Sequence, residues 1–310
     1  MRYDIEFETS SETKRSGAVE DPQGPSRVLI TWDATVRLEV LGDATSGNEP
    51  PGSSPEHPTH SSADPARPIP TPATSPLMRV RTTYERSSAN VKSDTPDPQA
   101  DDIEAQYARL EGKSVEFTLA ADGHVSNVSG LAGILTDQKA LTSAEQWMAQ
   151  LSGGASGPAA APAPGQKWTS EEPAASLPLA GMFWRTQSTY LRNENCHPAN
   201  PAGGAPVWGG ESCAVILSKL SLVEPHPVHD ATPPDYRSNG LHTSGHWSGS
   251  SQSLSYVSLK TGWVVSVAQN GSEQMDVTVL TAYGSSVHYS GTVATRSQIS
   301  LIAPEISQSR

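Results

Sequence analysis

Aromatic residues make up only 6% of this chain and hydrophobic residues only 35%, a thin supply of core material for 310 residues. No run of ~18 apolar residues occurs, so no transmembrane helix is expected. Basic runs are missing too. The formal net charge is −12, and no Lys/Arg stripe with interleaved aromatics is present. Such a surface repels phosphate backbones, which excludes nucleic acid as a partner class. No Gly-x-Gly-x-x-Gly or Walker sequence opens a helix after a strand, so no nucleotide cofactor is expected. Met1-Arg2-Tyr3 runs straight into an alternating segment, with no apolar stretch or small-residue cleavage site before it, so either the protein is cytosolic or the start shown lies downstream of a removed leader.

What is present is alternation. Tyr3, Ile5 and Phe7 interleave with Asp4, Glu6 and Glu8, the period-two pattern of a strand buried on one side. Val28, Ile30, Trp32, Ala34, Val36, Leu38 and Val40 repeat it over a longer stretch, a length that suits a twisted, curved sheet. Leu77 to Ser88 is a third strand, and Ser114–Leu119 with Val125–Val128 form a hairpin around Asp122-Gly123. Asp101-Asp102 caps a short helix carrying Ile103, Tyr107 and Leu110. Thr142-Ser143-Ala144-Glu145 is a capping box opening a second, with Trp147, Met148 and Leu151 on its buried side.

The 26 prolines and 25 glycines are concentrated in a few stretches. Residues 43–76 are Pro, Ser, Thr, Gly and Glu with almost nothing apolar, and read as a disordered insertion. Residues 153–165, rich in Ala, Pro and Gly, read as a linker between an N-terminal β-rich half (1–152) and a C-terminal antiparallel half (166–310). The two halves are compatible with one continuous sheet. In the second half, strands are expected at 182–191, 214–223, 241–249, 253–259, 263–268, 275–281, 286–293 and 298–302, with a tight turn at Lys260-Thr261-Gly262. Short links between consecutive strands favour an antiparallel meander. The fold class expected is mainly β, a large curved antiparallel sheet or half-barrel with two short helices and a disordered Pro/Ser-rich insertion.

Only two cysteines occur, Cys196 and Cys213, each at the end of a strand-like run. A hairpin that brings these ends face to face allows a disulfide, worth roughly 3 kcal/mol in the chain-entropy model. A disulfide implies an oxidising compartment, and so an exported protein of the periplasm or cell surface.

Chemistry is harder to find. His57/His60, His226/His229 and His242/His246 lie in close pairs, but Pro225, Pro227, Pro233 and Pro234 make the second group an irregular loop. No metal site is assigned. Gly245-His246-Trp247-Ser248-Gly249 resembles a nucleophile elbow only in spelling, because it reads as strand throughout. No catalytic residue and no cofactor are assigned. The seven tryptophans remain, and Trp32, Trp184, Trp247 and Trp263 lie in expected strands. On a curved sheet they can line an apolar cavity closed by helices carrying Tyr107 and Trp147. Core filling is the plainer alternative.

Several phrases resemble a bacterial, acidobacterial-type family of exported β-rich proteins of unknown function. They are Leu110–Leu119 with Asp122-Gly123 and Val128–Leu131, then Gly165-Gln166-Lys167-Trp168, then Leu259–Ser266. The resemblance covers residues 77–282 in outline and implies secretion, often as lipoproteins, without a known activity. A more distant architectural likeness is to the half-barrels of lipoprotein carriers. The leading expectation is a monomeric, non-enzymatic envelope protein that binds a lipid, another apolar ligand or an envelope component. A structural or protein-interaction module, and a hydrolase with spatially assembled Ser, His and acid residues, are the alternatives.

Overall fold

A computed structural model describes residues 1–19, 21, 24–43, 77–95, 100–120, 125–131, 162–174, 177–196, 211–224 and 231–302. Its strands are β1 (Arg2–Gly17), β2 (Ser26–Asp43), β3 (Leu77–Ser93), β4 (Ser114–Ala120), β5 (Val125–Ser129), β6 (Lys167–Pro173), β7 (Phe183–Asn195), β8 (Ser212–Val223), β9 (Leu241–Ser258), β10 (Val264–Thr281) and β11 (Ser286–Ile302). Helix α1 (Ala100–Ala108) lies between β3 and β4, and the single turn α2 (Pro234–Ser238) precedes β9.

All eleven strands form one curved antiparallel sheet, in the order β5-β4-β3-β2-β1-β11-β10-β9-β8-β7-β6. Consecutive strands pair everywhere except β5 with β6, and the first pairs with the last, so β1 and β11 sit together at the centre. The sheet is not closed into a barrel. Strand directions alternate along this order, which leaves the two edges, β5 and β6, parallel to one another. They cannot continue the antiparallel meander across the gap.

The strands are longer than the sequence pattern suggests. The expected breaks at 250–252, 269–274 and 294–297 do not occur, because β9, β10 and β11 run through them. Asn270-Gly271 is a turn signal on its own, but here both residues are paired on both sides, with Arg296 and Thr295 of β11 and with Gln252 and Ser251 of β9. Ladder pairing outweighs local preference. The first helix lies where expected. The second expected helix (142–151), with Trp147, the 43–76 insertion beyond Asp43 and most of the 153–165 linker lie outside the described residues.

The register sorts side chains onto two faces. One, the inner face, carries the main core: Tyr3, Ile5, Val36, Leu38, Val80, Val115, Phe117, Val267 and Ile299 are buried together, with Leu110 and Tyr107 of the α1 segment packed on them. Tyr3 reaches across two strands to donate its hydroxyl to the Val264 carbonyl at 3.0 Å. At the opposite end of the inner face, the β6–β7 connection folds back, with Ala174, Leu179 and Met182 buried against Val277. Ala180 N–H donates to the Ala231 carbonyl there, at 2.7 Å. The outer face is polar, with Arg79 and Arg81 of β3 gripping Glu116 of β4 and Arg27 of β2 reaching Glu12 of β1. These exposed pairs contribute little to stability individually.

Cys196 and Cys213 are joined, closing the β7–β8 connection. The bridge is buried on the outer face with Val265. Val265 is the extra residue of a bulge, at which the β9–β10 register shifts between Val264 and Ser266. Gly245 marks a close approach between strands: its φ is +135°, and a Cβ there would stand 2.1 Å from the Asp276 carbonyl oxygen.

Burial holds the Tyr3 and Tyr84 phenols above their ordinary value of 10.0, through desolvation in both cases, with the neighbouring Tyr107 adding to the effect at Tyr84. A folded chain with raised phenol pKa values retains protons that the unfolded chain has released. This part of the stability is therefore complete below about pH 10 and is lost as pH rises toward the folded-state values. We expect the urea midpoint to fall above pH 10, with the tyrosinate absorbance of these two residues appearing only as the sheet unfolds. Ionisation of all tyrosines near pH 10 in the folded state would contradict this burial.

Candidate functional site

Following the register across the inner face gives a pattern that no single strand reveals. One row runs Ile5, Ile299, Val267, Ser255, Ile216 and Tyr190, and is largely apolar. The next runs Phe7, Ser297, Gln269, Ser253, Ser218 and Ser188, and the one after it Thr9, Thr295, Gly271, Ser251, Leu220 and Thr186. The two rows form a belt of hydroxyls from β1 to β7. Beyond the belt the face becomes apolar and aromatic again, with Val293, Leu222, Trp184, Trp247 and Met275.

The described cover lies at the two ends of this face. The α1 segment packs on one end, and Ala174, Leu177, Leu179 and Met182 with Ala231 pack on the other. Between them Phe7, Thr9, Ser11, Ser251, Ser253, Thr295, Ser297, Leu220 and Leu222 are half-buried. Part of the belt is satisfied internally. The Ser188 and Ser218 hydroxyls share a hydrogen bond at 2.9 Å, and Gln269 Nε2 donates to Ser251 Oγ at 2.9 Å. Among the described residues, no side chain bonds to the hydroxyls of Thr9, Ser253, Thr295 or Ser297. Hydroxyls of this kind can hydrogen-bond a ligand without reorganising the sheet.

The tryptophans divide between the two ends. Trp32, 6% exposed, packs with Tyr107 at 5.3 Å and Tyr84 at 6.4 Å between ring centroids, and donates its Nε1–H to Ser87 Oγ at 3.0 Å. Trp263 is half-buried against the same cluster. Trp184 and Trp247 are half-buried at the other end, where Trp247 Nε1 donates to Glu273 Oε2 at 2.8 Å. The expected set is thus split, with Trp32, Tyr107 and Trp263 on one side of the belt and Trp184 and Trp247 on the other.

Glu273 is a site residue that sequence reading missed. It lies within 269–274, which reads as a turn, and only the continuous β10 places it on the inner face opposite Gly249 and Val293.

The outer face holds an open depression of about 570 Å³, lined by Ser10, Ser250, Ser272 and Ala294 together with the longer Glu12 and Gln274. It also holds a relay that sequence reading missed. Ser16 Oγ lies 3.4 Å from His288 Nδ1, and His288 Nε2 lies 2.9 Å from Asp276 Oδ1. The three residues come from β1, β11 and β10, so only the sheet assembles them. Catalysis of acyl transfer needs an enclosed nucleophile and donors ready for the developing oxyanion. Asp276 is 67% exposed, and the nearby Arg15 and Ala18 amides already donate to Asp21 and to the Ser286 carbonyl. His246 is separate, 85% exposed and 3.4 Å from Glu224. Among the described residues no three His, Cys, Asp or Glu side chains are arranged to hold a metal ion. His57, His60, His226 and His229 lie outside them.

No family model matches this chain, and no curated protein matches it. The hairpin resemblance to exported bacterial proteins therefore has no family match behind it. Among solved structures, the chain is similar to one described as lipid–protein interactions in lipovitellin, at 10% identity and a TM-score of 0.42. The match covers 99% of this chain and 26% of that one, so this chain spans about a quarter of its length. A likeness this coarse says nothing about a ligand.

Trp184 and Gly249 supply a direct check of the aromatic end. A Cβ on Gly249 would stand 2.7 Å from Trp184 Cη2 and 3.0 Å from Glu273 Cγ, so the indole rests on the bare backbone of β9. Gly249→Ala is expected to cost about 1–3 kcal/mol by overpacking, measured by urea unfolding, and to shift the tryptophan emission. An unchanged emission spectrum would place Trp184 elsewhere.

Proposed function

We propose that this chain is a non-catalytic, exported binding protein that holds an amphiphilic ligand against the inner face of its sheet. One observation carries the reading. The inner face runs apolar, hydroxyl-lined, then aromatic, and its described cover is confined to the two ends. Half-buried apolar groups such as Phe7, Leu220, Leu222 and Trp184 gain from contact with a hydrocarbon portion, at roughly 25 cal/mol per Å² removed from water. The neighbouring belt hydroxyls suit a polar head. Such a mixture of apolar wall and few polar groups is usual in ligand sites.

Export is supported by the Cys196–Cys213 bridge, since disulfides persist in oxidising compartments. No described helix is long and apolar enough to cross a membrane. Absence of catalysis is part of the proposal, motivated by the exposure of the Ser16–His288–Asp276 relay.

Native mass spectrometry of the chain, secreted from a host and purified without detergent or added lipid, tests the reading. A reproducible excess mass that disappears on organic extraction is expected. A bare mass, persisting after incubation with mixed fatty acids and phospholipids, would overturn it and favour a structural or protein-interaction module.

A further inference from the structure

The aromatic end of the inner face carries an unbalanced charge. Glu273 points into a half-buried corner, and its Oε2 accepts the Trp247 indole N–H at 2.8 Å. Across β9, Gly249 contributes no side chain. The Trp184 ring leans into that space, and the Glu273 methylene reaches the same point from the other side. The Glu273 carboxylate is therefore held by Trp247, with the Trp184 ring close to the methylene that carries it. Among the described residues, no Lys, Arg or His lies within ion-pair distance of it. A half-desolvated carboxylate supported by one neutral donor is left costly, and a cation removes that cost.

We propose that the Trp184–Trp247–Glu273 corner receives an alkylated ammonium group, the cationic head of a zwitterionic amphiphile. The proposal rests on the inner-face reading above and names the chemistry of the head. Indole faces attract cations, most strongly where water is partly excluded. An inorganic cation such as Ca²⁺ takes six or more oxygen ligands, roughly, and here one carboxylate is available. A quaternary ammonium is weakly hydrated and is satisfied by one carboxylate and aromatic walls. The chain's net charge of −12 favours the same sign of ligand. One row further along the strands lie Thr295 and Ser251 of the hydroxyl belt, next to Val293 and Gly249. The Thr295 hydroxyl offers a donor to the phosphate that accompanies such a head, whereas Ser251 already donates to the Asn270 carbonyl at 3.1 Å.

The probe is phosphocholine, titrated into the full chain and followed by tryptophan emission, with 3,3-dimethylbutyl phosphate as its uncharged-head isostere. We expect phosphocholine to bind at least about tenfold more tightly than the isostere. Its affinity should weaken as salt is raised. Glu273→Gln keeps an acceptor for Trp247 and removes the charge, and is expected to abolish the discrimination. Equal binding of the two probes, or full discrimination in Glu273→Gln, overturns the proposal. So does binding of a neutral oligosaccharide in place of both, which would make the corner a sugar platform. Sodium dodecanoate separates the two readings. If it binds and phosphocholine does not, the inner-face reading stands and the ammonium site falls. If phosphocholine binds and no amphiphile does, the ammonium site stands and the amphiphile reading falls.

Discussion

The pairing of β1 with β11 is the constraint on which the rest of this structure depends. It spans sixteen register pairs, from Arg2–Ile302 to Gly17–Val287. It joins the two ends of the described chain in the middle of the sheet. Without it, β1–β5 and β6–β11 would be two meanders, each with an additional long, open edge. Long unpaired edges invite association with other chains. The pairing also aligns Ile5 with Ile299 and Tyr3 with Leu301, which makes the core continuous across the junction. Contacts of this sequence separation close late and slowly, so the sheet's folding is governed by its most distant pair of strands.

The same register fixes what the inner face presents. A shift of one residue would turn Thr9, Ser11 and Thr13 outward and bring Glu6 and Glu8 against Trp32 and Ile30. Because the register holds, the hydroxyls of five strands (β1, β11, β9, β8 and β7) fall in two adjacent rows, with apolar groups on either side. Three buried clusters follow from the arrangement. One lies beneath α1, one beneath the β6–β7 connection, and one surrounds the disulfide on the outer face.

Much of the fold was legible in the sequence. Alternation around Tyr3, Ile5 and Phe7, and from Val28 to Val40, marks long strands with one buried face. The strand-end placement of Cys196 and Cys213 marks their bridge. The sequence does not show where β9, β10 and β11 continue. Their middles contain Gly249, Asn270-Gly271 and Gly291, which locally favour a turn; Asn270-Gly271 and Gly291 are held straight by partners on both sides, and Gly249 by its pairing with Glu273. Glu273 was hidden for that reason. Ser16, His288 and Asp276 were hidden for another: they are adjacent only through strand pairing, and no local spacing signals it. The tryptophans were visible as strand residues, but their division between two ends of one face depends on register.

The register across β1 and β11 can be tested by cross-linking. Thr9 and Thr295 are direct partners on the inner face, and Ser297 is one inner-face position away along β11. Facing residues in an antiparallel pair fall within disulfide range, whereas positions two residues out of step do so poorly. The double variant Thr9→Cys with Thr295→Cys should form a new bridge, found by peptide mass mapping under non-reducing conditions with Cys196–Cys213 intact. The pair Thr9→Cys with Ser297→Cys should remain largely reduced. Efficient bridging of the second pair and not the first would mean a different register, and with it a different inner face.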